Sequence, residues 1–343
     1  RLLLMHQTKK VLLVATGGTI ASKKTENGLT PGITPEELLG YVPDAGEYCR
    51  IDTIQLFNLD STNISPEHWK LIVGCIRENY DSYDGFVIAH GTDTMAYTAA
   101  ALSYMIQDSA KPIVLTGAQK PINLDITDAK TNLLDSIMYA ADDASEGVSI
   151  VFGGKVIAGT RAKKVRSKSY NAFSSIDFPE LAVIQDKRLI RYIPGAKGSK
   201  QVKFYDNLQD NIFLLKLIPG IKADILEYVF EKYDAIIVES FGVGGIPITI
   251  REKFFALCQK YQGKMIIMAT QVAHEGSDMT VYEVGHDMKA SCNFLESYDM
   301  TLESVIAKTM WLLANCTDDA ASREKLFYTC INHDILFTGA NQR

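Results

Sequence analysis

Short apolar runs and amphipathic stretches alternate along the first half of the chain. Val11–Ala15 is a run of five apolar residues, typical of a strand buried on both faces of a parallel sheet. The predicted strands cover 11–15, 53–58, 85–90 and 112–116, and the predicted helices begin at Thr34 and Ser65 or cover 94–107 and 127–142. Alternation of this kind predicts an α/β protein with a doubly wound sheet.

The alternation is interrupted once and then resumes. Residues 148–159 predict a hairpin with Gly153 and Gly154 at its tip. Periodicity fades from Pro194 to Asn211. Beyond that point, predicted strands at 212–218, 234–240 and 264–270 alternate with predicted helices at 222–232, 250–261, 301–314 and 318–328. We therefore predict a larger N-terminal α/β domain over 9–194, a linker over 195–211 and a smaller C-terminal α/β domain over 212–343.

The segment after the first strand is polar. Residues 22–32 contain glycine and few apolar positions, so we expect a loop, and loops that follow such strands often cover a site. Thr34-Pro35-Glu36-Glu37 then predicts a helix start, with threonine as the cap, proline in the first turn and glutamate at the third helical position.

Three of the predicted strands end in glycine next to polar side chains. The endings are Thr16-Gly17-Gly18-Thr19, His90-Gly91-Thr92-Asp93 and Thr116-Gly117-Ala118-Gln119. Glycine permits sharp turns and close approach of the backbone to a ligand. Because parallel strands end at one edge of a sheet, where open α/β sheets bind ligands, we expect Thr19, Thr92, Asp93, Thr116 and Gln119 to form a polar crevice.

Two further polar segments have open interpretations. Asp60, Ser61 and Thr62 follow the predicted strand 53–58, and they either join the crevice or form a capping turn for the next helix. Residues 160–168 (TRAKKVRSK) are a basic cluster, which is either a solvated face or the source of a lysine that serves Thr92 and Asp93.

Composition excludes several classes of function. The net charge of −6 gives no electrostatic reason to expect a nucleic acid or an anionic membrane as a partner. No apolar run approaches the ~20 residues that span a membrane. The six cysteines contain no C-x-x-C pair, and the six histidines show no ligand spacing. We therefore expect no metal, and a cytoplasmic location with reduced thiols.

The candidate residues favour acyl transfer on a small amide. A threonine hydroxyl must be activated by a base, and no histidine adjoins Thr19. His90 lies on the apolar side of Gly91, and we interpret it as structural. A desolvated lysine next to Thr92 can accept a proton, with Asp93 holding its ammonium afterwards, and backbone N–H groups of the glycine turns can bind an oxyanion.

These residues carry a family resemblance. A-T-G-G-T-I-A-S at 15–22 and H-G-T-D-T-M-A-Y-T at 90–98 resemble the two signature motifs of bacterial-type L-asparaginases. D-S-T-N at 60–63 and R-A-K-K…Y-N-A-F at 161–173 stand at the corresponding places. E-S-F-G-V-G-G-I-P at 239–247 resembles a motif of the cytoplasmic (type I) branch.

The resemblance implies hydrolysis of L-asparagine to L-aspartate and ammonia through a threonine acyl-enzyme, without metal or organic cofactor, in a homodimer or homotetramer. It assigns catalysis to Thr19 as nucleophile together with Thr92, Asp93 and Lys164. It assigns substrate binding to Asp60, Ser61, Thr62, Thr92 and Asp93.

The chain also departs from relatives of this family. Leu29 stands where many carry a lid tyrosine, which Tyr41 or another residue would have to replace. Val272 stands where some cytoplasmic members have a cysteine associated with an effector site. Two other functions stay open, an amidotransferase subunit that supplies ammonia to a tRNA-bound substrate and a non-catalytic amino-acid sensor on the same scaffold.

Overall fold

The structure, a computed structural model, describes residues 9–26, 28–195, 201–279, 292–316 and 319–338. It divides into two compact units, Arg1–Asp206 and Asn207–Arg343. The division falls inside the predicted linker, of which residues 196–200 lie outside the described ranges.

The first unit alternates strands and helices in the predicted order. Its strands are β1 Lys10–Gly17, β2 Ser22–Thr25, β3 Gly28–Pro31, β4 Arg50–Leu59, β5 Gly85–Ala89, β6 Ile106–Gln107, β7 Pro112–Thr116, β8 Gly147–Phe152, β9 Lys155–Ala158, β10 Ala162–Lys164, β11 Phe173–Ser175, β12 Ala182–Gln185, β13 Arg188–Arg191 and β14 Lys203–Phe204. Its helices are α1 Pro35–Gly40, α2 Pro66–Asn79, α3 Met95–Met105 and α4 Ala129–Ala141.

The main sheet of the first unit is mixed. Its strand order is β13-β12-β9-β8-β7-β5-β1-β4, in which β4, β1, β5, β7 and β8 are parallel. Strands β9, β12 and β13 each run antiparallel to their neighbours. The α/β fold and the hairpin at Gly153-Gly154 are confirmed, and the antiparallel extension through β12 and β13 is an addition to the predicted doubly wound sheet.

The prediction of a loop over 22–32 was wrong. Strands β2 and β3 form an antiparallel pair in which Ser22 lies opposite Pro31 and Thr25 opposite Gly28. Almost every residue of the two strands is exposed, so neither face shows the apolar alternation by which strands are recognised. The predicted helix start at Thr34 is confirmed, because Thr34 and Glu37 form a reciprocal capping box.

The polar edge of the sheet is held by an apolar core. Val11, Leu13, Val87 and Val114 pack in one cluster with residues of α4 such as Ile137. Side chains alternate across a strand, so the intervening residues face the other side, and they are buried as well. A sheet covered on both faces leaves its strand ends as the place where polar side chains reach solvent.

Part of the predicted linker is structured. Strand β14 within it pairs with β6, and the N–H of Tyr205 donates to the carbonyl of Met105. The chain is therefore attached to the first unit almost up to Asp206.

The second unit is a smaller α/β layer. Its elements are β15 Ile212–Lys216, α5 Asp224–Lys232, β16 Ala235–Ser240, α6 Ile248–Lys260, β17 Met265–Thr270, β18 Phe294–Glu296, α7 Leu302–Asn315 and α8 Ala320–Phe327. Strands β15-β16-β17-β18 are parallel. Phe230 and Phe254 pack edge to face in its core. No helix in the described parts of the chain combines the length and apolar character needed to cross a bilayer.

Candidate active site

Two glycine turns meet where β1 and β5 end. Gly18 has φ of 82°, and a Cβ placed on it would lie 2.5 Å from the Cα of Gly91. Any larger residue at position 18 would therefore collide with the second motif. Because the two backbones touch, Thr19 and Thr92, each the next residue after one of these glycines, are brought to the same part of the sheet edge.

The segment after β4 joins this edge. The N–H of Gly18 donates to the carbonyl of Leu59 over 3.0 Å, and Thr94 Oγ1 donates to the carbonyl of Ser61 over 2.8 Å. Ser61 is buried against Gly91, whereas Asp60 and Thr62 are exposed. Asp60 Oδ1 accepts from the N–H and the hydroxyl of Thr62, so it caps its own 3₁₀ turn rather than helix α2.

Lys164 reaches the second motif from β10. Its Nζ lies 2.8 Å from Thr92 Oγ1 and 2.5 Å from Asp93 Oδ1. The lysine side chain is 16% exposed and the Asp93 side chain 59% exposed, so the amine is enclosed while the carboxylate faces solvent. The resulting arrangement is a hydroxyl, an amine and a carboxylate joined by two hydrogen bonds.

Gln119 completes the surroundings of the Thr92 hydroxyl. Thr92 Oγ1 donates to Gln119 Oε1 over 3.1 Å, and Gln119 Nε2 donates to the carbonyl of Ser169 over 3.2 Å. The carboxylate of Asp128 accepts from the backbone N–H groups of Gln119 and Lys120. Sequence analysis missed Asp128, although its place immediately before helix α4 was a signal that it could bind backbone N–H groups.

Thr116 and Thr19, two other residues of the predicted crevice, lie in different surroundings. Thr116 was expected at the edge, but it is fully buried and donates to the carbonyl of Val151 on the neighbouring strand. Among the described residues no hydrogen bond engages the half-buried Thr19 side chain. Within the described residues the Thr19 hydroxyl is therefore uncommitted, whereas the Thr116 hydroxyl bonds inside the sheet.

The basic cluster is divided between the interior and the surface. Arg161 is fully buried, with its guanidinium 5.5 Å from the ring of Phe178. Lys164 points to Thr92, and Arg166 and Lys168 are exposed. The interpretation as a solvated face therefore holds only for residues 165–168, and the interpretation as the source of a lysine for Thr92 and Asp93 holds for Lys164.

His90 is part of a buried relay behind the site. Trp69 Nε1 donates to Thr98 Oγ1 over 2.9 Å, Thr98 Oγ1 lies 2.9 Å from His90 Nε2, and His90 Nδ1 donates to the carbonyl of Gly91 over 2.6 Å. Burial lowers the pKa of His90 to about 4. A neutral ring uses Nε2 as acceptor and Nδ1–H as donor, which matches both contacts and agrees with a structural role.

Replacing Thr98 with valine should therefore destabilise the first unit. The change leaves the buried Trp69 N–H and His90 Nε2 without their partner, at a cost of about 1–3 kcal/mol in the free energy of unfolding. Thermal denaturation measures the effect. Thr309→Val is the matched control, because Thr309 is also buried in a helix but bonds only to its own helix, at the carbonyl of Val305. An equal loss in both variants would contradict the relay.

The geometry suits nucleophilic attack on a carbonyl. Hydroxyls at Thr19 and Thr92, an enclosed amine and a carboxylate are the components of a proton relay. In the part of the chain that the structure covers, no group of three or more His, Cys, Asp or Glu side chains converges to hold a metal ion.

Family models match both units. Residues 10–194 match the model "Asparaginase, N-terminal", and residues 211–327 match "Glutaminase/Asparaginase C-terminal domain". The chain belongs to the asparaginase family. It is thus an amidohydrolase of the L-asparaginase family, as the motifs at Thr19 and Thr92 predicted.

Several proteins resemble this asparaginase-family chain along most of its length. The L-asparaginase of Thermococcus kodakarensis is 38% identical over 313 residues, which are 90% of this chain and 94% of that protein. L-asparaginase 1 of Escherichia coli K12 is 31% identical over 336 residues, which are 93% and 96% of the two chains. A glutamyl-tRNA(Gln) amidotransferase subunit of Pyrococcus horikoshii is 32% identical over 321 residues, which are 90% of this chain and 73% of that protein.

Solved structures agree with these matches. The thermostable T. kodakarensis L-asparaginase superposes with a TM-score of 0.88 at 35% identity, covering 96% of this chain and all of that one. L-asparaginase I of Vibrio cholerae superposes with a TM-score of 0.85 at 28% identity, covering 96% and 99%. A probable cytoplasmic L-asparaginase of Campylobacter jejuni gives 0.80 at 25% identity, covering 93% and 99%. The predicted type I branch is therefore confirmed.

Leu29, at the position where many relatives carry a lid tyrosine, and Tyr41, its possible replacement, both lie in described parts of the structure. Leu29 lies on β3, opposite Lys24, and is 51% exposed. Tyr41, the alternative source of a phenol, follows α1 and lies under the Lys130 ammonium, 5.8 Å from it. Among the hydrogen bonds of the described residues, none joins Tyr41 to Thr19.

Proposed function

We propose that the protein hydrolyses L-asparagine to L-aspartate and ammonia through an acyl-enzyme on Thr19. The observation that carries the proposal is the hydrogen-bonded set of Thr92, Lys164 and Asp93 beside a threonine with an uncommitted hydroxyl. Relatives named L-asparaginase match it over more than nine-tenths of their own length.

In the first half of the reaction, the Thr19 hydroxyl attacks the side-chain amide carbon of asparagine. The hydroxyl proton passes toward the Thr92–Lys164 pair and then to the leaving nitrogen, so the C–N bond breaks and ammonia departs. An ester between Thr19 and the β-carbonyl of aspartate remains. Backbone N–H groups of the glycine turns stabilise the oxyanion during attack.

In the second half, water attacks that ester. The proton of the water passes through Thr92 and Lys164, and the Thr19 oxygen leaves with a proton to regenerate the free hydroxyl. Asp93 holds the ammonium form of Lys164 at 2.5 Å, which stabilises the charge formed at each transfer.

The same edge offers groups to bind the amino acid. Asp93 and Asp60 are exposed carboxylates suited to the substrate ammonium. Ser61, which lies next to Gly91, offers its hydroxyl to the substrate carboxylate, and Thr62 orients the Asp60 carboxylate by donating its N–H and its hydroxyl to Oδ1. We assign substrate recognition to these four residues together with Thr92.

The second candidate is an ammonia-supplying amidotransferase component. It is favoured by the 32% identity to the P. horikoshii amidotransferase protein, although this chain spans only 73% of that relative. The match to L-asparaginases covers 94% to 96% of the matched proteins, which is why free asparagine is the preferred substrate.

Cytoplasmic location and assembly into a homodimer or homotetramer belong to the same proposal, and the mass in solution tests the assembly.

Incubating the purified protein with L-asparagine should release ammonia and aspartate in equal amounts. The measurement is coupled enzymatic detection of ammonia together with chromatography of the amino acids. Release only in the presence of an aminoacylated tRNA and a second protein would favour the amidotransferase. Thermal stabilisation by asparagine without any ammonia would instead identify a sensor.

A further inference from the structure

A cavity of about 380 Å³ lies in the first unit. It lies between the end of α1, the first turns of α4 and the tight turn that joins β12 to β13. Its volume falls in the range of small-molecule sites. Apolar walls come from Val42, Pro43, Leu134 and Ile184. None of the residues assigned above to catalysis or substrate binding lines it.

A buried carboxyl group faces this cavity. Asp135 lines it from α4 and is only 7% exposed. Within the described ranges, Asp135 accepts no hydrogen bond and forms no ion pair. Burial raises its pKa to about 7. Because buried carboxylates are almost always paired, Asp135 is a strong acceptor that lacks its donor.

The lysines that line the cavity are engaged elsewhere. Lys187 Nζ donates to Asp44 Oδ2 over 2.8 Å. Lys130 Nζ lies 5.8 Å from the centre of the Tyr41 ring. Three aspartates and these two lysines line the space, and once the Lys187–Asp44 pair is set aside, Asp135 and Asp186 outnumber Lys130. The cavity is therefore acidic on balance, with an aromatic ring that already attracts one cation.

We propose that this cavity binds a small organic cation, a primary ammonium compound with a short hydrocarbon chain, whose ammonium pairs with Asp135. The N–H groups of such a ligand supply the donors that Asp135 lacks. The hydrocarbon chain lies against Leu134 and Ile184 and removes their apolar surface from water. A carboxylate-bearing anion would instead face two unpaired aspartates.

The test is a titration of the wild-type protein with n-butylammonium. Methyl NMR of isoleucine-labelled protein reports on Ile184, which lines the cavity, and on Ile225 of α5 in the second unit as a reference. We expect a saturable shift at Ile184 only, with weaker binding of uncharged 1-pentanol and none of butyrate. Equal binding of the alcohol, or no shift at Ile184, would overturn the proposal.

Two isosteric variants identify the carboxyl group. Asp135→Asn should weaken butylammonium binding by about ten- to a hundredfold, the value of a hydrogen bond to a charged group. Asp81→Asn removes the same charge from an exposed aspartate and should leave the affinity unchanged. Lys130→Met should strengthen butylammonium binding, because it removes a like charge, and a weakening would overturn the proposal that the cavity selects a cation.

Stability provides a readout without ligand. The folded-state pKa of Asp135 lies above its unfolded value of 3.8, so its contribution to stability is present below that value and is lost as pH rises through about 7. Asp135→Asn should therefore be more stable than wild type above pH 7 and no more stable in acid. A less stable variant at high pH would mean that the carboxylate already has a partner.

The affinity for butylammonium should change with pH as Asp135 ionises. Butylammonium binding should tighten as pH rises through about 7, because Asp135 ionises while the ligand stays charged. The other titratable groups near Asp135 are those of Asp44, Asp186, Lys130, Lys187, Tyr41 and Tyr48. In the Asp135→Asn variant this pH dependence should disappear, and its persistence would assign the effect to one of those groups instead.

Discussion

Thr19→Ala should lower the rate of asparagine hydrolysis by about 10³-fold or more, because it removes the oxygen that forms the acyl-enzyme. Steady-state kcat is the decisive quantity, and KM should change little, since the proposed binding groups belong to other residues. Thr19→Ser keeps a hydroxyl and should retain a measurable part of the activity. Activity of the alanine variant within about tenfold of wild type would reject Thr19 as the nucleophile.

The loss should occur without unfolding. The Thr19 side chain is half-buried and makes no hydrogen bond to any described residue, so its removal leaves no buried polar group unpaired. Thermal denaturation of Thr19→Ala should superpose on wild type. Ser82→Ala is the control, because Ser82 is an exposed hydroxyl near the start of β5, at the other end of the strand from Gly91. It should leave kcat unchanged.

Much of the sheet could be predicted because its strands are continuous apolar runs. Val11–Ala15 and 112–116 are buried on both faces, which leaves a clear pattern in the sequence. β2 and β3 are exposed on both faces and leave none. β18 has three residues, Phe294–Glu296, too few for any periodicity. A strand could thus be predicted from the sequence where it is buried, whether or not its backbone pairs with a neighbour.

The strand order could not be derived from the pattern. β1 lies between β4 and β5, one strand in from the edge of the sheet, so its ending is flanked by two later segments. Glycine and threonine at the strand ends indicated a common edge, yet only the parallel pairing of β1 with β5 brings Gly18 against Gly91. This pairing joins segments about 70 residues apart, so its entropic cost depends on the topology of the whole unit. A local pattern of residues therefore cannot show which strands become neighbours.

The candidate site shows the same division between local and long-range information. The Thr19 and Thr92 turns could be identified locally, since a glycine beside a hydroxyl at a strand end is a sequence feature. Lys164 could not be separated from Lys163 or Lys168 by pattern, because all stand in one basic cluster. Its orientation follows from the pairing of β10 with β11, in which Lys164 lies opposite the buried Phe173. Asp135, a polar residue on a largely buried helix, carried no signal at all.

Lys164→Met should reduce kcat by about 10²–10⁴-fold, the usual contribution of a positioned acid or base. Methionine keeps most of the length and apolar stem of lysine but cannot hold or transfer a proton. Thr92 Oγ1 loses its donor at 2.8 Å, and the Asp93 carboxylate, 59% exposed, is solvated by water instead. The structural cost should therefore be small, and KM should rise far less than kcat falls.

Lys168→Met is the matched control for this variant. It removes the same charge from the same basic cluster, but Lys168 is exposed and bonded to neither Thr92 nor Asp93. If the cluster acted through its overall field, both variants would lose activity to a similar degree and the loss would shrink with added salt. If Lys164 is the relay, only its variant is impaired at every ionic strength. In that case Lys164→Ala should regain part of its rate when a small primary amine is added, because the amine replaces the missing base, while Lys168→Met gains nothing.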